Sequence, residues 1–176
     1  MLASSVFSMI LGLKRFDMRK RFEQQLSLGS IAITDVKFDL KSRDQFPALL
    51  MGLQYIFKTP EVNESIFTLL EKKITNGKNA TGRYGLTLWE ILVLGVVRLN
   101  LNLDYARLHD LANNHRNLRG ILGVGKECSF GDNYEYCEST IKENGRLIDD
   151  ETLAEINVII VKSGHEILKK KRRKKR

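Results

Sequence analysis

Arg107, Asn114, His115, Arg116 and Arg119 crowd into residues 107–119, and their side chains are the types that read nucleic-acid bases. Arginine grips guanine and asparagine grips adenine through paired hydrogen bonds in the major groove. The same arginines also suit a helix end, where Arg116 and Arg119 would pair with Asp110 or Glu127. Lys78 and Arg83 lie in NGKNATGRYG (76–85), a loop rich in Gly and Asn. There they would touch phosphates and carry no sequence information, or simply sit on a solvated connector. The loop lacks the GxxxxGK[ST] spacing that cradles a nucleotide. The chain ends in KKKRRKKR (169–176). Eight like charges in a row are expected to stay extended. Lys169, Lys170, Lys171, Arg172 and Arg173 would then form a phosphate-binding arm or, in a eukaryote, a nuclear import signal. The competing reading is the basic end of a long helix, or an out-of-frame scar.

Other chemistry has little support. Asp110, Asp132 and Glu135 form no triad with interpretable spacing. The tyrosines of DNYEYCESTIKEN (132–144) lack a positioned base or cationic pocket. Cys128 and Cys137 stand nine apart with no CxxC pattern, so reduced thiols are expected. His109, His115 and His165 show no ligand spacing. We therefore expect no catalytic residue, no metal ligand and no cofactor in this chain.

The elements that would position the base-reading residues are helices. Residues 88–101 are apolar on nearly every side, which places a helix at the centre of a core or in a membrane. Glu90 and Arg98 interrupt the run, and it is shorter than the roughly 20 apolar residues that a span needs. Thr87 with Glu90 spells a capping box. Asp104 is a good N-cap for a second helix with Tyr105, Leu108, Leu111 and Ala112 on its inner face. Arg107, His109, Asp110, Asn113 and Asn114 face the other way. A short third helix carries Leu118, Ile121 and Leu122, and Gly123 and Gly125 suit its stop. Three helices with tight connections can form a helix-turn-helix or a plain helical bundle.

Upstream, helix is expected from about residue 3 to Leu26, closed by Gly29. Residues 1–13 are apolar with basic residues after rather than before them, unlike a secretory signal. They read as a membrane-touching helix or as a start-site artefact, with Met18 the alternative start. Residues 31–40 partly alternate and suggest a short extended segment. Ser42 and Gln45 read as a capping box for a helix through Phe57, and Thr59-Pro60 restarts the chain. Val62, Ile66, Phe67, Leu69, Leu70 and Ile74 form the next stripe. Residues 132–144 read as a polar helix anchored by Tyr134, Cys137 and Ile141. Asp149 or Asp150 caps the last helix, with Leu153, Ile156, Ile160, Val161, Ile167 and Leu168 inward. The expected fold is an all-α helical bundle containing a helix-turn-helix.

The chain resembles the N-terminal region of bacterial insertion-sequence transposases of the ISNCY type. The resemblance rests on LTLWEILVLGVVR (86–98), DYARLHDLAN (104–113) and LRGILGV (118–124). It extends through MRKRFEQQLSLG (18–29), residues 41–74 and residues 149–171, roughly 18–171 in all. It implies a DNA-binding part in transposition, with double-stranded DNA at insertion-element ends as partner. It also implies a bacterial, cytoplasmic, nucleoid-associated setting. In such transposases a ribonuclease-H-like domain follows, where acidic residues hold two divalent metals for in-line displacement. No catalytic carboxylate of that family falls on a residue here, so the chain reads as a transposase frame that ended early. An interaction module pairing with itself or with an intact transposase is the alternative, and no membrane partner is expected. Exposed apolar residues on helix 61–74 would favour that alternative.

Charge divides the chain further. Lys and Arg number 29 against 21 Asp and Glu, and the eight terminal basic residues carry the whole excess of +8. The body is balanced and 43% of the chain is hydrophobic, enough for a core. We expect an uncertain extension at 1–17, a helical domain at 18–168 and a basic tail at 169–176.

Overall fold

The structure, a computed structural model, describes residues 19–22, 31–39, 43–75, 85–124 and 135–174, with 75 and 166–174 described by backbone alone. These residues form an all-α bundle of α1 (Gln45–Lys58), α2 (Pro60–Leu70), α3 (Leu88–Asn100), α4 (Tyr105–Asn114), α5 (Arg116–Leu122), α6 (Glu138–Gly145) and α7 (Asp150–Lys174). No strand occurs among the described residues.

The apolar run 88–101 becomes the central helix, as its composition requires. Leu88, Trp89 and every residue from Ile91 to Val97 are buried in α3. Helices α4, α5 and α6 pack around it. At its start the Thr87–Glu90 capping box forms in full. Two further orphan amides there, Leu88 N–H and Trp89 N–H, donate to the carbonyls of Lys20 and Arg21 at 2.9 and 2.8 Å. This contact explains why residues 19–22 are bent rather than helical, against the expected helix to Leu26. Their carbonyls serve α3 instead of a helix of their own. The rest of that expected helix lies outside the described residues.

Local stops follow the residue chemistry. Asn102 takes a left-handed φ of 50° after α3, and Leu103 N–H reaches Arg98 O at 2.9 Å, a Schellman closure. Gly123, at φ 80°, closes α5 in the same way, with Val124 N–H on Arg119 O at 3.0 Å. Thr59, held extended by the following proline, separates α1 from α2, and Pro60 opens α2.

Several expectations are corrected. The N-cap of α1 is Asp44, whose carboxylate accepts from Phe46 N–H at 3.0 Å, so the Ser42 capping box gives way to a nearer acceptor. Residues 31–39 hold a single 3₁₀ turn, Ile33–Asp35, between extended residues. The buried Gln54 amide clamps it by donating to Ile33 O and Val36 O at 2.8 and 2.9 Å. The polar helix begins only at Glu138, and Cys137 is exposed as its N-cap. Tyr136 is the buried anchor beside Ile141, while Tyr134 lies outside the described residues. Asp149 caps α7, accepting from Thr152 N–H at 2.8 Å. In α7, Ile156 is buried and Leu153 and Ile160 are half-buried, but Val161 is exposed because it lies on the far side from α2. Helix 61–74 buries its stripe against the body and carries none of the large exposed apolar side chains. The basic run does not stay extended: the helix continues through Lys174.

Candidate nucleic-acid interface

The α4–α5 pair carries the expected base readers, and packing sorts them. A single residue, His115, joins the two helices. Helix α5 has only seven residues, and Leu118, Arg119, Ile121 and Leu122 are all buried. Trp89 donates its indole N–H to Ile121 O at 2.7 Å. On another side, Val36 beside the 3₁₀ turn packs so tightly that a Cβ on Gly120 would lie 2.9 Å from its Cγ2. A recognition helix must offer an open face to the groove, and α5 offers little beyond Arg116. The second half of a DNA-reading helix-turn-helix is thus covered by its own domain.

Arg119 is the clearest correction. It is 5% exposed, and its guanidinium donates to Asn113 O at 3.3 Å. An arginine held this way braces the α4–α5 corner and cannot reach a base without breaking it. His115 is half-buried with its Nδ1 accepting from Leu118 N–H at 3.2 Å, so it caps α5. Its ring packs edge-on against Phe46, 4.7 Å between centroids. Burial pushes its pKa below the ordinary imidazole value, against an upward pull from Asp44. Asn114 is exposed but donates to Asp110 at 2.7 Å. Arg107 and Arg116 are exposed and make no ion pair among the described residues. Arg107, Asp110 and Asn114 share one outer stripe of α4 at i, i+3 and i+7.

The other polar residues of α4 face inward onto the chain before α6. Asn113 binds the Tyr136 backbone on both sides, accepting from its N–H at 2.9 Å and donating to its carbonyl at 3.1 Å. His109 Nε2 lies 2.8 Å from the same carbonyl. The Tyr136 hydroxyl then donates to Glu90 at 2.7 Å, in the capping box of α3. This network ties α4, α6 and the start of α3 together. Helix periodicity alone could not find it, because its partners are 23 and 46 residues apart.

Basic residues near the start of the described chain are also structural. Arg21 donates to Glu71 at 2.6 and 3.1 Å and to Glu64 at 2.6 Å. Those hydrogen bonds raise its pKa and hold Glu64 below its usual value. Arg19 donates to Asn144 at 2.7 Å and to Leu86 O at 3.4 Å, and burial lowers its pKa. Phe22, between these contacts and the core, stacks on Phe67 and meets Phe57 edge-on, and Phe57 meets Trp89. The readable signal was the pair Glu64 and Glu71, seven apart on one face and waiting for a cation.

Lys78 and Arg83 lie outside the described residues. Lys169, Lys170, Lys171, Arg172 and Arg173 fall on the last turns of α7, with their side chains outside the description. Burial weakens along the inner face of that helix: Thr152 and Ile156 are buried, and Ile159, Ile160 and Ser163 are half-buried. From Val161 to Lys174 the helix axis advances about 20 Å at roughly 1.5 Å per residue. Among the described residues no group of three His, Cys, Asp or Glu is placed to hold a metal. No helix among them is long and apolar enough to cross a membrane. Comparison of the chain with protein-family models, curated proteins and solved structures finds no match.

Proposed function

We propose that this chain is a DNA-binding helical domain of the insertion-sequence transposase kind, without catalytic chemistry of its own. The observation that carries the reading is where the charge sits. The body is neutral in balance, the whole excess of +8 lies in 169–176, and the first six of those residues continue a long helix at one end. Such an arm neutralises phosphates and releases their counterions, so its affinity falls steeply with salt. Arg107 and Arg116, both exposed, remain the candidates for base contact, with Asn114 beside them. The resemblance across roughly 18–171 supports insertion-element ends as the DNA.

The test is a binding titration of the chain with and without 169–176, on element-end DNA and on random duplex, across a salt series. Each lost phosphate contact should reduce the slope of log K against log salt by about 0.9. Arg107→Ala and Arg116→Ala should each cost about 1–3 kcal/mol of preference for end DNA if they touch bases. Absence of binding by the whole chain, or an unchanged slope after tail removal, overturns the reading.

A second reading is a module that pairs with another copy or with an intact transposase. Val158 and Val161, 52% and 55% exposed on α7, favour it.

A further inference from the structure

Among its described side chains, helix α7 packs on the body through one face. Thr152 and Ile156 are buried, and Ile159, Ile160 and Ser163 are half-buried, on the side that meets α2. The opposite side carries Ala154, Val158, Val161 and His165, all exposed. Their spacing of four, three and four is the repeat of a coiled-coil seam. A solvated helix face has no need of two valines at successive seam positions, and β-branched residues are not favoured there by helix propensity either.

We propose that this face pairs with the same face of a second copy, with the two α7 helices antiparallel. Charge selects the partner and the direction. One flank of the seam carries Glu151 and Glu155 toward the N-terminus and Lys162 toward the C-terminus. Under a two-fold axis the same patch meets itself. In the antiparallel arrangement Val158 of one copy packs on Val161 of the other, and Ala154 on His165. Glu155 then stands across from Lys162, twice over. Glu155 already accepts from Lys73 at 2.6 Å, yet it is 44% exposed, which leaves its carboxylate open to a second cation. The acidic first turn, Asp150 and Glu151, also comes to lie near the end of α7 that leads into Lys169. A parallel pair would instead set Glu155 against Asp150 and bring the two basic ends together. The face of α7 that meets α2 is opposite this seam, so the described body of each copy lies on the outer side of the pair.

Self-pairing deepens the module reading by naming its surface and partner. It is independent of DNA contact, and its test contains no DNA, so a monomer would leave the DNA reading standing. Sedimentation velocity of the whole chain, from low to high micromolar, should show a reversible dimer. Val158→Glu with Val161→Glu should give a monomer of unchanged helicity by circular dichroism. Lys162→Glu should weaken the dimer at least several-fold, and Glu155→Lys added to it should restore pairing. Direction is read by disulfide trapping in a background with Cys128→Ser and Cys137→Ser. Ala154→Cys mixed with His165→Cys should cross-link, and Ala154→Cys alone should not. A monomer at every concentration, a dimer indifferent to the valine changes, or cross-linking by Ala154→Cys alone would each overturn the proposal.

Discussion

Gly95→Ala should destabilise this protein, whereas Gly52→Ala should stabilise it, although both glycines lie inside helices. An alanine inside a helix is worth about 0.5–1 kcal/mol over glycine, chiefly through chain entropy. At Gly52 on α1 an added Cβ meets nothing within 4 Å, so the full gain is expected. At Gly95 in the middle of α3 it would lie 2.5 Å from both Cβ and Cγ1 of Ile148, and 3.1 Å from Cγ2. Ile148 is fully buried. Its Cβ is tied to the backbone and cannot swing aside, so α3 must shift against the turn that leads into α7. Overpacking of this kind costs about 1–3 kcal/mol, and a Cβ–Cβ conflict belongs at the upper end. After the helix gain the net loss is about 2 kcal/mol. For a domain of this size that lowers Tm by roughly 4–8 °C, and Gly52→Ala should raise it by about 1–4 °C. Thermal and urea unfolding followed by circular dichroism would measure both. Equal stabilisation by the two substitutions would refute the close approach of α3 to Ile148.

Other substitutions probe the site. His115→Ala should cost about 1 kcal/mol by removing the cap of α5, and His115→Asn should cost less. Because burial lowers the His115 pKa, the unfolded chain binds the proton more readily. This contribution to stability is full above about pH 6.5, falls as pH drops toward the folded pKa, and then levels off. A stability profile between pH 7 and pH 5 should therefore flatten in His115→Asn, and an unchanged slope would count against burial of the imidazole as the source of the pH dependence. Tyr136→Phe should lose about 1–2 kcal/mol with the hydroxyl bond to Glu90, measured by urea unfolding. Arg21→Ala should lower the urea midpoint, and the difference from the parent should shrink as salt rises, since its partners are partly solvated. An effect independent of salt would argue that Arg21 acts through packing.

Much of the helical framework was legible in the residues themselves. The Thr87–Glu90 box, the Asp104 cap, the Thr59-Pro60 break and the Gly123 stop act within one turn of chain. Each needs only local geometry, so each could be read without the fold. The burial of α3 was legible for a related reason, since a helix apolar all round has one place to go. Direction of burial at polar positions was not legible. Arg119 and Arg116 are three apart on one short helix, yet one braces a corner and the other meets solvent. Asn113 and Asn114 are neighbours, yet one holds Tyr136 and the other faces out. The basic run at the end obeys the same division. Its charge is a property of the sequence, but whether it extends or continues α7 depends on how the preceding turns are anchored. Periodicity states which residues share a face, and only the neighbouring chain decides which polar face is covered. Here those neighbours are Val36, Tyr136 and residues 19–22, brought from far along the sequence by the core they enclose.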